Sequence, residues 1–102
     1  MKKIKKLFVV ERWRVGNDER YTALSADYRE ALAQYGDARI CAAYEAKASK
    51  HPQEVVMSSY TAKEPINAEI DAWGRLIGED GGEIEYFNEW RRKTVCGAVI
   101  NG

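Results

Sequence analysis

Residues 4–24 read as a β-hairpin, and no other stretch restricts the fold as much. β-Branched and aromatic side chains concentrate at Phe8, Val9, Val10, Trp13 and Val15, the types that fit a pleated surface. Gly16 and Asn17 then supply a turn signal before a second short run at residues 20–24. A loop at residues 17–19 sets Val15 opposite Tyr21 and Trp13 opposite Ala23. That register gathers Leu7, Val9, Trp13, Val15, Tyr21 and Ala23 on one apolar face and Arg12, Arg14 and Thr22 on the other. A loop one residue longer puts Arg20 and Thr22 beside Trp13, a worse arrangement, because a one-residue slip exchanges the faces. Residues 7–10 are apolar on both faces and predict a central strand.

Ser25 is placed to cap a helix over residues 26–35, with Asp27 and Glu30 near the positive end of its dipole and Leu24, Tyr28, Leu32 and Tyr35 as its stripe. Gly36 and Asp37 interrupt it. Residues 38–50 alternate as a strand would, yet are rich in alanine; the helical reading, recapped by Asp37 and ended before Pro52, makes residues 26–50 helical with one break. Residues 54–62 predict a strand. Pro65 sits where a first-turn proline belongs, and Ile66, Ile70, Trp73 and Ile77 follow at helical spacing, so residues 66–78 predict an amphipathic helix with Trp73 in the core. Residues 83–93 permit a further helix or a strand, with helix the preferred reading, and residues 94–100 predict a last strand. The expected fold is α+β: a small antiparallel sheet made of the hairpin (4–15 and 20–24) and strands near 54–62 and 94–100, with two or three helices packed on one face.

The chain has 102 residues, enough for one core without metals or disulfides, so a single globular domain over residues 1–102 is expected. No apolar run is long enough to span a bilayer, and the basic residues 2–6 precede only four apolar ones, short of a signal peptide. A cytoplasmic protein is expected, with Cys41 and Cys96 as reduced core residues. Formal net charge is zero, which excludes a uniformly basic nucleic-acid binder. Charge is nonetheless segregated: residues 64–89 carry eight acidic side chains against Arg75 alone.

Catalytic, metal and cofactor motifs are not found. His51 is the only histidine and adjoins Pro52; on a helix, Cys41 lies about 15 Å from it. Cys41, Cys96 and His51 lack the close pair spacings of zinc sites, and residues 78–82 form a glycine-rich turn after a helix instead of a phosphate loop. No catalytic residue, metal or cofactor is therefore expected.

Two surface sets remain. Glu69, Asp71, Glu79, Asp80, Glu83, Glu85 and Glu89, with Tyr86 as an exposed aromatic among them, suit docking onto an Arg- and Lys-lined groove. Arg12, Arg14, Arg91, Arg92 and Lys93, interleaved with Trp13 and Trp90, suit single-stranded nucleic acid. The leading expectation is a non-enzymatic protein-binding module. In its sharper form it is a small inhibitor of the phage-encoded, anti-defence, anti-CRISPR-like kind, which occupies a basic nucleic-acid-binding site of its target; this is an analogy of size and style. The alternatives are a nucleic-acid-binding domain, a small enzyme whose site carries no known motif, and a homodimer contact through the exposed Trp and Tyr side chains.

Overall fold

The computed structural model describes residues 2–101. In chain order it contains β1 (Lys2–Arg14), β2 (Arg20–Ser25), α1 (Tyr28–Ser49), β3 (Gln53–Ile70), β4 (Leu76–Gly78), α2 (Tyr86–Glu89) and β5 (Arg91–Ile100). This is a small α+β fold with a curled, five-stranded antiparallel sheet ordered β2-β1-β3-β4. β5 lies along the first half of β3, on the side away from β1.

The central strand read at residues 7–10 is present. Leu7, Phe8, Val9 and Val10 are all buried, and alternation divides them between two cores. Phe8 and Val10 pack, with Val55 and Met57 of β3, against Ala31 and Ala42 of α1. Leu7 and Val9 point the other way, into Leu24, Tyr60, Ala68 and Leu76, with Tyr86 of α2 packed against them. The two helices therefore cover opposite faces, not one, because the sheet carries apolar residues on both.

α1 runs unbroken through Gly36 and Asp37. Asp27, not Ser25, is the N-cap and accepts from the Arg29 N–H at 2.9 Å, while Ser25 Oγ supports it by accepting from the Asp27 N–H. The side of α1 that reaches the sheet is chiefly Ala31, Ala42 and Ala46, small enough for close approach. Of the expected stripe, Leu24 is buried and Tyr35 packs against the same core as Ala31 and Ala42, while Tyr28 and Leu32 are exposed.

The largest departure lies at residues 66–78. There is no helix there: β3 continues to Ile70, turns, and returns as β4, pairing Ala68 with Gly78 and Ile70 with Leu76. Helix-forming side chains yield here to a distant ladder partner, since Lys2, Lys3 and Ile4 pair with Ala68, Asn67 and Ile66. Pro65 falls in the irregular stretch between the Ile4–Ile66 and Lys6–Thr61 pairs, where a missing N–H costs no ladder bond. The expected helix over 83–93 shrinks to four residues because Trp90 is extended and β5 begins at Arg91. Cys41 is exposed and Cys96 half-buried, both as free thiols, so Cys41 is no core residue. No helix among the described residues is long and apolar enough to cross a membrane.

Candidate functional site

The hairpin register differs from the expected one by an odd slip: Trp13 pairs with Arg20 and Arg12 with Tyr21. Trp13 is consequently not in the core. It is half-buried beneath Arg20, whose guanidinium carbon lies 4.0 Å from the ring centroid and whose Nη1 pairs with Glu11 at 3.1 Å. Arg12 stacks over the exposed Tyr21 ring at 4.3 Å, and Arg14 is exposed at the end of β1. Arg91, Arg92 and Lys93 lie opposite Thr61, Tyr60 and Ser59, whereas Arg12 and Arg14 lie opposite Val55 and Gln53. The two basic groups are thus about 20 Å apart along β3 and do not form one patch.

The acidic set forms two groups at the two ends of β4, and the group after β4 runs directly into Arg91, Arg92 and Lys93 of β5. Glu79, Asp80, Glu83, Glu85 and Glu89 are all exposed on the segment that follows β4. Glu79 accepts a hydrogen bond from Asn67 Nδ2. Asp80 accepts from the Gly82 N–H at 2.9 Å, fixing a turn. Glu79, Asp80 and Glu89 line one cleft with Ile66, Ile84 and Trp90. Tyr86 is not the exposed anchor expected of it. It packs edge-on against Tyr60 at 4.9 Å, and burial, followed by the nearby Tyr60, Glu11 and Glu83, pushes its hydroxyl up to about 12. The exposed aromatic beside these acids is Phe87.

Glu69 and Asp71 form the second group, around the loop that joins β3 to β4. Asp71 organises that loop. Its Oδ1 accepts from the N–H groups of Trp73 and Arg75, each at 2.9 Å, and its Oδ2 receives Arg75 Nε at 2.9 Å and Nη2 at 2.8 Å. These bonds, the Arg75 N–H foremost, hold the Asp71 carboxyl below its ordinary range. Gly74 takes the left-handed conformation, φ +76°, that the turn needs. On this braced loop Trp73 is 81% exposed. Its helical spacing assigned it to a core, and only the absence of the helix reveals it as the most exposed large apolar side chain among the described residues.

Among the described residues no three His, Cys, Asp or Glu side chains are grouped to hold a metal ion. Chemically, the acidic surface offers fixed negative charge, two exposed aromatic rings and hydrogen-bonded loops. That combination suits recognition of a cationic surface. Comparison with family models, curated proteins and solved structures gives no match.

Proposed function

We propose that this chain is a non-enzymatic protein-binding module that works in the cytosol as a small inhibitor. It docks its acidic surface onto a basic, nucleic-acid-binding site of its target, the manner of a phage-type anti-defence protein. The observation that most supports this reading is Trp73, held 81% exposed on a loop that Asp71 braces. A tryptophan brings roughly 150–250 Å² of surface, so burial of the 81% that is exposed is worth about 3–5 kcal/mol before the costs of association. The bracing means that little loop entropy is lost on binding. Glu69, Glu79, Asp80, Glu83, Glu85 and Glu89 add a field that speeds encounter with a basic groove.

The experiment is capture of a partner from host lysate on the tagged protein, with and without nuclease, using wild type, Trp73→Ala and a charge reversal at Glu79, Glu83 and Glu85. A stoichiometric protein that resists nuclease, elutes with salt and is lost from both variants is the expected outcome. Retention that vanishes with nuclease transfers the function to nucleic acid and to Arg12, Arg14, Arg91, Arg92 and Lys93. Capture that survives Trp73→Ala overturns the proposal.

A further inference from the structure

The sheet curls without closing, and a groove runs along the seam. β2 pairs with β1 only over residues 8–13, which leaves the outer side of β1 unpaired over residues 2–7, and β2 itself has no strand outside it. Two clefts, of about 480 Å³ beside Lys2, Ile4 and Ser25 and about 520 Å³ between Thr22 and Trp73, share Glu30 and Ile70 and so join end to end. Below β2 lies the first part of α1; above it hangs the β3–β4 loop.

Three properties of this groove point to one kind of occupant. The Leu24 carbonyl turns outward and accepts from Gln34 Nε2 at 3.4 Å. By the alternation of an antiparallel strand, the N–H and C=O of Thr22 then also face away from β1, free to pair. The walls carry Asp27, Glu30 and Glu69 beside Lys2, and Asp71, which is paired with Arg75. Finally, Gln34 Oε1 is buried at this wall without a donor, and Trp73 closes the groove's far end.

We infer that the groove binds an extended, cationic segment of a partner protein, which adds to the free edge of β2 at Thr22 as an extra strand. Alternate Arg or Lys side chains of the segment lie against Glu30 and Glu69, and one apolar side chain packs under Trp73. Main-chain pairing supplies affinity and the acidic wall selects the sequence. Ala23 and Ser25 face β1 and the Leu24 carbonyl is taken by Gln34, so the segment pairs at Thr22 and its flanking residues lie along the two clefts. This rests on the docking reading above and specifies the shape and charge of what docks.

The test uses the full chain and a fluorescein-labelled peptide of alternating Arg and Val, read by fluorescence anisotropy and by amide chemical shifts. Saturable binding is expected, with the shifts centred on Thr22, Ala23 and Leu24. Glu30→Lys with Glu69→Lys should weaken it by about tenfold or more. Methylating alternate backbone nitrogens of the peptide should do the same, and this control leaves the protein untouched. A peptide of alternating Glu and Val should not bind. No binding, shifts centred on residues 83–89, or affinity indifferent to N-methylation would overturn the inference. If the peptide fails while Trp73→Ala still abolishes capture from lysate, only the groove assignment falls. If Trp73→Ala leaves capture intact, the docking reading falls whatever the peptide does.

Discussion

Arg20 stands directly across the β1–β2 ladder from Trp13, with its guanidinium over the indole at 4.0 Å and its Nη1 on Glu11. Facing charge toward an aromatic ring is favourable here because Arg20 stays exposed to solvent and Trp13 is only half-buried. The stack contributes about 0.5–1 kcal/mol at an exposed site and the ion pair a fraction of that. Arg20→Ala should therefore lower the stability measured by urea denaturation by about 1 kcal/mol and red-shift the Trp13 emission. Arg20→Lys should recover only part of the loss, since an ammonium lacks the planar stack.

Asp71 governs whether Trp73 is held or loose. Its carboxyl titrates below the ordinary range in the fold, so the bracing is complete above the unfolded-state value and is lost as pH falls through the folded one. In heteronuclear NOE measurements the amides of Trp73 and Gly74 should be rigid at neutral pH and should become mobile in acid. Asp71→Ala should show the mobile pattern at every pH. Asp71→Asn, which keeps a carbonyl acceptor for the Trp73 and Arg75 N–H groups, should fall between them.

Tyr86 sets an alkaline limit. Because its folded value is raised to about 12 from an ordinary 10.0, the neutral hydroxyl is the form that the fold favours. Its contribution is full below the unfolded value and is lost as pH rises from 10 toward 12. Absorbance titration of the phenolates should show a late transition that Tyr86→Phe removes. The same substitution keeps the ring against Tyr60 and should reduce the stability lost over that pH interval. Tyr35, also raised by burial and by Cys96 beside it, leaves part of the dependence in place.

Gly36 is helical by neither packing nor strain. A Cβ built there meets nothing within 4 Å, and its φ is not positive. Gly36→Ala should stabilise the protein by about 0.5–1 kcal/mol, through the entropy that glycine loses on entering a helix. Gly97 is the contrasting site: a Cβ there lies 3.3 Å from both the Val55 carbonyl oxygen and Val56 Cγ2. Gly97→Ala should lower the denaturation midpoint.

Which parts of this fold are legible in the chain depends on how local their causes are. The strand at residues 7–10, the alanine-rich helix and the valine-rich last strand follow from residue types that act where they stand. The register of the hairpin does not, because Arg20 beside Trp13 looks unfavourable until one sees that Arg20 stays exposed to solvent. Residues 66–78 mislead for a stronger reason. Ile66, Ile70 and Ile77 match a helix, but Ile66 is claimed by residues 2–4, far away in the chain, and Ile70 and Ile77 by the β3–β4 hairpin. Losing that helix also moves Trp73 from core to surface, so the most telling residue of the candidate site is hidden by one wrong element. The acidic residues were legible because charge is a property of the sequence itself. The burial of Tyr86 against Tyr60 was not.

The ladder between β1 and β3, in which Lys2 meets Ala68 and Arg14 meets Gln53, fixes an order of events during synthesis. As the chain leaves the ribosome, β1 and β2 can meet early and α1 can form alone. β1 nevertheless keeps one unsatisfied edge along residues 7–10 until residues 57–60 of β3 have emerged. For that interval its apolar residues 7–10 are exposed on a lone two-stranded ribbon, marginal in water. The nascent chain is therefore most vulnerable to aggregation after β2 has emerged and before β3 follows it.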